Sequence, residues 1–259
     1  MDPISQFQRE RAAALEAYAK DADFQGMSQT WLRESMQRRY VYNFDWLGRP
    51  IIQFPQDIVA VQELIWATRP DVIVETGIAH GGSLILSASL LAMLDLCDAS
   101  EAGEKLDPRE PKRKVIGVDI DIRPHNRERI EQHPMASRIQ MFEGSSIDPS
   151  VVAQVRDAVG QAERVMVCLD SMHTHDHVLA ELEAYGLLVS TGCYLVVFDS
   201  FVENMPKGFF ADRPWDIGNN PMTAVQAWLP AHPEFVIDHD MDAKLQISVA
   251  PNGYLRRVR

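Results

Sequence analysis

Two aspartates and a histidine stand where two apolar runs end. One run reads V-M-V-C-L-Asp170-Ser171-Met172-His173, and a later one reads Y-L-V-V-F-Asp199-Ser200. Carboxylates at the tips of neighbouring strands can converge on one divalent ion, and hard oxygen donors suit Mg2+ or Ca2+. His173 follows Asp170 by one turn, within reach of the same pocket. An imidazole there can take a proton from a hydroxyl near neutrality. A bound cation would assist by lowering that hydroxyl's pKa. Taken singly, Asp170 reads as a helix cap and His173 as a surface residue. Their coincidence points to chemistry.

Residues 72–83, V-I-V-E-T-G-I-A-H-G-G-S, supply the second part of a site. Val72, Ile73 and Val74 are β-branched, as a buried strand requires. Glu75 ends that strand, Gly77, Gly81 and Gly82 make a tight turn around His80, and Ser83 opens an apolar helix. Glycine lets a backbone come close to a ligand, and free helix amides attract negative charge. The spacing is Glu-x-Gly-x-x-x-Gly-Gly, which is not the dinucleotide pattern. The next strand ends V-I-G-V-Asp119-I-Asp121, where a carboxylate accepts from ribose hydroxyls; the register favours Asp119 over Asp121. The third ends F-E-Gly144-Ser145-Ser146, small polar residues fit to line an adenine edge, before Asp148 and Pro149 start a helix.

These residues need strands to carry them, and the chain alternates accordingly. Strands are predicted at 72–75, 115–119, 138–142, 164–169, 193–198, 234–238 and 245–250. Helices are predicted at 83–96, 124–132, 149–159, 176–189 and 221–229. That is an α/β pattern with a mostly parallel sheet and helices on both faces. The polar link 238–244 suits an antiparallel closing hairpin. Before the sheet, residues 4–39 read as helical, with Phe7, Ala14, Leu15, Tyr18, Trp31, Leu32 and Met36 as the apolar stripe. Residues 44–55 read as an extended lead-in, and Asp57 as the cap of a helix carrying Ile58, Val61, Leu64 and Ile65. The organisation expected is thus an N-terminal helical extension and lead-in, 1–56, and one catalytic domain, 57–259. The charged stretch 98–114 reads as a solvated insertion. Residues 201–222 are too long for a plain connection, and Phe209, Phe210 and Trp215 with Lys207 and Arg213 suit a lid over a sugar-like acceptor.

Bulk properties remove several classes. The chain of 259 residues, 46% hydrophobic, can bury one large core. A net charge of −12 argues against nucleic acid and anionic membrane surfaces. Cys97, Cys168 and Cys193 are odd in number and lie in apolar segments, which suits free thiols in a reducing cytoplasm. No signal-peptide pattern and no uncharged run of spanning length is present, so membrane insertion is not expected.

The glycine run resembles the first motif of class I S-adenosylmethionine methyltransferases, in which this turn holds the cofactor's amino-acid end. From about Trp46 to Trp228 the chain resembles the cephalosporin hydroxylase family, which includes metal-dependent O-methyltransferases acting on sugars of macrolides and glycans. W-L-G-R-P-I-I-Q-F-P-Q-D, Q-E-L-I, R-P-D-V-I-V-E-T-G-I-A-H-G-G-S, V-D-I-D-I, the L-D-S-x-H run and N-P-M-x-A-V carry the resemblance, in that order. It implies a Rossmann-like class I fold with a seven-stranded sheet and an antiparallel terminal hairpin. It implies S-adenosylmethionine as donor, held by Glu75, Gly77, His80, Gly81, Ser83, Asp119, Asp121, Ser145, Ser146 and Asp170. It further implies Mg2+ at Asp170 and Asp199, His173 as general base, a small-molecule or glycan acceptor, and a homo-oligomer. One position departs from the pattern. The family often ends the fifth strand with Glu-Asp, whereas this chain has Phe198-Asp199. Ser200 occupies the place of a carboxamide ligand in catechol-type relatives, and weaker metal binding than the family norm is expected.

Two other classes compete. The run H-T-H-D-H at 173–177 is one residue short of a zinc-hydrolase signature, and His173, His175 and Asp176 are a poor match to an iron hydroxylase triad. Phe198 also admits a cofactor-binding protein without activity.

Overall fold

Runs of β-branched residues bounded by turn residues build the centre of the molecule. The computed structural model describes residues 2–259. After a small antiparallel hairpin, β1 (Phe44–Trp46) and β2 (Arg49–Ile51), come the strands of the main sheet. These are β3 (Val72–Thr76), β4 (Lys114–Asp119), β5 (Ile139–Glu143), β6 (Val165–Leu169), β7 (Tyr194–Val197), β8 (Phe235–Ile237) and β9 (Tyr254–Arg257). Their order is β5-β4-β3-β6-β7-β9-β8, seven strands, all parallel except β9. The helices are α1 (Pro3–Lys20), α2 (Ala22–Gln37), α3 (Pro55–Thr68), α4 (Gly82–Ala102), α5 (Pro124–Glu131), α6 (Pro149–Val159), α7 (His175–Tyr185), α8 (Pro221–Trp228) and α9 (His239–Leu245). The α/β class and the sheet closed by an antiparallel strand are as expected from the sequence.

Alternation along each strand divides the core in two. Ile73, Val115, Met166 and Val196 face a layer built by α3 and α4, while Val74, Val118, Val167 and Val197 face α6, α7 and α8. By length and composition α4 could cross a membrane, but most of it is buried as the central core helix.

Several boundaries differ from expectation. The segment 245–250 is not a strand. Residues 239–245 form α9, Gln246 turns with φ +58°, and the closing strand comes later, at 254–257. Asp57 is not a cap, because α3 starts at Pro55. Its buried carboxylate accepts from Ser248 Oγ (2.6 Å), Tyr254 Oη (2.8 Å) and the Val249 amide (3.0 Å), tying α3 to the C-terminal segment. The helix predicted at 83–96 runs on to Ala102, so only part of 98–114 is a loop. Arg113 anchors that loop on Asp95 (2.5 Å) and Asp98 (2.8 Å), and the buried Arg138 also meets Asp95 (2.5 Å). In the first two helices, Leu32 reaches the core and Met36 packs on it, but Phe7 on α1 is 62% exposed. The apolar stripe therefore reaches the core on α2, while on α1 Ala14 and Leu15 are half-buried and Phe7 and Tyr18 are exposed. Ile51 and Phe54, from the lead-in, are fully part of the core.

Candidate functional site

Parallel pairing puts the chemistry on one edge of the sheet. Thr76 is in register with Leu169, and Leu169 with Val197, so the chain leaves β3, β6 and β7 side by side. The Asp170 amide donates to Thr76 O (2.9 Å) and the Phe198 amide to Leu169 O (3.0 Å), which places Asp170 and Asp199 at adjacent tips. Asp199 adopts a left-handed φ of +55°, at the start of a 3-10 turn, Ser200–Asn204. His173 Nε2 lies 2.8 Å from Asp199 Oδ2. One donor atom each from Asp170, His173 and Asp199 lies within 4.8 Å of the others. Burial, then the Asp199 and Glu75 charges, hold the Asp170 carboxyl well above the usual carboxylate range. A cation is the natural counterweight to carboxylates so placed.

The other expected metal ligand is not in this cluster. Ser200 is fully buried, donates its hydroxyl to Pro251 O (2.7 Å) and does not line the cavity that Asp170 lines. Phe198 does not line the cavity either; its ring joins the apolar layer with Val196 and Val202. His175 Nδ1 pairs with Thr223 Oγ1 (2.9 Å), and His177 Nε2 with Ser146 Oγ (3.0 Å) and Ser171 Oγ (3.2 Å). The three histidines of H-T-H-D-H diverge, and among the described residues they form no joint metal cluster. That arrangement removes the support for the hydrolase and hydroxylase readings.

Two cavities meet at Gly77 and Asp170. One, about 270 Å³, is lined by Gly77, His80, Gly82 and Ser83 of the glycine turn, by Asp170, His173 and Asp199, and by Met36, Gln53, Phe210, Arg213 and Trp215. The other, about 200 Å³, is lined by Gly77, Asp119, Ser145, Ser146, Ser171 and His177. His80 lines the first cavity, and its carbonyl is held by the Arg49 guanidinium. Asp121 lines neither; it is exposed beside Arg123. Glu75 lies behind Ser83, whose hydroxyl it accepts, and burial pushes its carboxyl up to about 7.

The turn is positioned by residues on three other elements. Asp119 Oδ2 accepts from the amides of Ile78 (2.8 Å) and Ala79 (3.1 Å). Asn126 Nδ2 donates to Ala79 O (2.9 Å), and Arg49 joins Asn126 Oδ1 (2.8 Å) to the His80 carbonyl. Asp119 is thus both a wall of the second cavity and a brace of the turn. Arg49, Asn126, Gln53 and His177 did not stand out in the sequence. For Arg49 and Asn126 the signal is only that a turn of three glycines needs external partners.

The glycines have more specific reasons than closeness to a ligand. A side chain at Gly77 would meet Asp170 O at 2.0 Å, so the β3 and β6 tips require it. At Gly81, φ +84°, it would meet Ile130 at 2.5 Å rather than open space. Gly81 is therefore required by its own backbone conformation and by the closeness of Ile130.

The segment after β7 covers the first cavity. Trp215 packs edge-on against the His173 ring, 4.7 Å between centroids, and Arg213 lies over Trp215 at 5.3 Å. Glu203 accepts from Asn220 Nδ2 (2.5 Å) and the Gly218 amide (2.8 Å), pinning the segment at its base. Phe210 lines the cavity as expected for a lid, while Phe209 stacks edge-on behind it at 4.9 Å.

Comparison with known proteins adds the following. A family profile described as Rhamnosyl O-methyltransferase/CmcI matches residues 38–258. A Rhamnosyl O-methyltransferase of Mycobacterium tuberculosis (strain ATCC 25618 / H37Rv) is 28% identical over 208 residues, covering 78% of this chain and 73% of its own. One of Mycobacterium leprae (strain TN) is 26% identical over 236 residues, covering 87% and 90%. Among solved structures, a CmcI with Mg and SAM superposes with a TM-score of 0.55 at 19% identity, covering 84% of this chain and 78% of that one. An apo CmcI gives 0.54 at 20% identity, covering 84% and 77%. At such identity the structural likeness speaks for the fold.

Proposed function

The chain belongs to the Rhamnosyl O-methyltransferase/CmcI family, and from that premise we propose that it moves a methyl group from S-adenosylmethionine to a hydroxyl of a sugar-bearing acceptor. The observation that carries the reading is the joining of the two cavities at Gly77 and Asp170, with His173 and Asp199 on the wall of the larger.

Glu75, Gly77, His80, Gly81, Ser83, Asp119, Ser145, Ser146 and Asp170 form the cofactor set in this reading. The smaller cavity, with Asp119 and the two serines, has the polar rim a nucleoside needs. Bound there, S-adenosylmethionine supplies a methyl group on a sulfonium, ready for direct displacement by oxygen. Two carboxylates beside an imidazole fit a hard divalent cation. Asp170 and Asp199 would hold it, and its chemistry is to acidify the acceptor hydroxyl.

The chain's own residues do the rest. His173 takes the hydroxyl proton as the oxygen attacks carbon. Asp199, in contact with that ring, stabilises the positive charge the imidazole gains. Trp215 packs against the ring and fixes its plane, and with Phe210 it offers an apolar wall to a sugar face. The mycobacterial relatives, named for a rhamnosyl acceptor, support a deoxysugar first. The buried free thiols Cys168 and Cys193 suit the cytoplasm, where we place the reaction.

The test is methyl transfer from donor labelled with 13C at the methyl, offered to a rhamnoside panel and to catechol. The reading expects labelled O-methyl on a rhamnoside. Transfer to catechol with none to any sugar would move the acceptor class to phenols.

A further inference from the structure

The segment over the larger cavity, residues 201–222, uses two of its acidic side chains to hold itself together. Glu203 accepts from Asn220 Nδ2 (2.5 Å) and the Gly218 amide (2.8 Å), and Asp216 from the amides of Gly208 (2.9 Å) and Ile217 (2.9 Å). Arg213 does no such work. It is exposed and lines the cavity, and among the described residues its guanidinium has neither an ion pair nor a hydrogen bond. What positions it is an aromatic ring: its Cζ lies over Trp215, 5.3 Å from the centroid. A second pair of this kind comes from the lead-in. Tyr42, in the 3-10 turn Tyr40–Asn43, also lines the cavity, and Arg39 Cζ lies 4.8 Å over its ring. The Arg39 guanidinium has no carboxylate partner either, among the described residues.

Stacking occupies the flat face of a guanidinium and leaves its edge of N–H donors free. That edge matches the paired oxygens of a carboxylate or a phosphate. An arginine anywhere in solvent could do as much, but place distinguishes this one. Trp215 touches both Arg213 and the ring of His173, the latter at 4.7 Å. An anion on Arg213 would therefore belong to the same acceptor molecule as a hydroxyl brought to His173. The chain's net charge of −12 repels anions at long range, and Asp170 and Asp199 line the same cavity. An anionic acceptor would need fixed cations there, whereas a neutral sugar gives these donors nothing to match.

We propose that the acceptor is an anionic glycoside, a sugar bearing a carboxylate or a phosphate, and that Arg213 receives the anionic group, with Arg39 adding to the local positive charge. The proposal rests on the sugar O-methyltransferase reading and narrows its substrate class. Arg213 makes and breaks no bond; it is a specificity-determining residue that selects which sugar is presented to His173.

The test is steady-state methyl transfer by the full chain to two matched pairs: rhamnose 1-phosphate with methyl rhamnoside, and methyl glucuronide with methyl glucoside. A hydrogen-bonded charge pair predicts kcat/KM roughly 10-fold or more higher for the anionic member of one pair, and Arg213→Gln should remove most of that preference, through KM. The pair that responds tells phosphate from carboxylate. Arg213→Lys, which keeps the charge and loses the fork, should fall between. Calorimetry should give Arg213→Gln the wild-type affinity for S-adenosylhomocysteine. Equal or poorer use of both anionic members by the wild type overturns the proposal and leaves methyl transfer to sugars standing. So does a preference that survives in Arg213→Gln, or a loss of S-adenosylhomocysteine affinity as large as the loss for the acceptor. Should Arg213→Gln not fold, salt decides on the wild type: the preference should shrink as ionic strength rises, and a constant preference overturns the proposal. Transfer to none of the four sugars, with S-adenosylhomocysteine still bound, overturns the sugar reading and this proposal with it.

Discussion

His173 Nε2 stands 2.8 Å from Asp199 Oδ2, although the two residues come from the ends of different strands. The contact binds the proposed proton acceptor to one of the two carboxylates that suit a cation. It gives His173 a fixed position in the larger cavity, against Trp215 on its other side.

His173→Ala should therefore lose about 10²–10⁴-fold in turnover, the usual range for general-base catalysis, with S-adenosylhomocysteine affinity nearly unchanged. His175→Ala should be mild, since its ring is engaged with Thr223 outside the cavity. Comparable losses for both, measured at neutral pH, would send the proton by another route.

A cation held by Asp170 and Asp199 should show in stability as well as rate. Mg2+ should raise the melting temperature of the wild type in a concentration-dependent way. Asp170→Asn should remove that rise. Because Phe198 stands in place of a second carboxylate just after β7, half-maximal effect is expected at higher Mg2+ than in relatives with Glu-Asp there. Full activity in excess chelator would contradict the requirement.

Glu75 sets a pH dependence of stability. Burial raises its carboxyl to about 7 from 4.5, with the Ser83 hydrogen bond opposing. The folded protein keeps a proton there that the unfolded chain releases. The stabilising contribution is complete below about pH 4.5 and is lost as pH rises through about 7. Asp57, also raised by burial, to about 6, acts in the same direction. Melting temperature should fall from about pH 5 to about pH 8, and Glu75→Gln should flatten part of that fall. An unchanged slope in the variant would mean that Glu75 titrates normally.

The buried ion cluster at the edge of the sheet is a stability element. Asp95 is 1% exposed and meets both Arg113 and Arg138. Asp95→Ala leaves the buried Arg138 guanidinium without its carboxylate and Arg113 with Asp98 alone, and should cost about 3–5 kcal/mol. Denaturant titration would show it, and a loss below about 1 kcal/mol would class the cluster with surface pairs.

Much of this was legible in the sequence because it is local. The order strand, Gly77, Gly81, Ser83, helix is written in twelve consecutive residues, 72–83, and strand-tip logic then singles out Asp119, Asp170 and Asp199. Where local pattern misled, a distant contact was deciding. L-Q-I-S-V-A at 245–250 has strand-like alternation, but its Ser248 and Val249 bond the buried Asp57 and the ladder begins at Tyr254. Ser200 looked placed for a cation by its neighbour Asp199, yet the left-handed turn at Asp199 sends its hydroxyl to Pro251. Arg49, Asn126 and Gln53 were invisible for the same reason. Nothing in the order of residues says that Arg49 reaches across to Asn126, or that Gln53 is left without a donor.

Calorimetric titration of the wild-type chain with S-adenosylhomocysteine, set beside a nicotinamide nucleotide, tests the central claim most directly. The account predicts one S-adenosylhomocysteine site per chain, a raised melting temperature on binding, and no heat with the nicotinamide. No binding of S-adenosylhomocysteine, with saturable binding of the nicotinamide nucleotide instead, would contradict it.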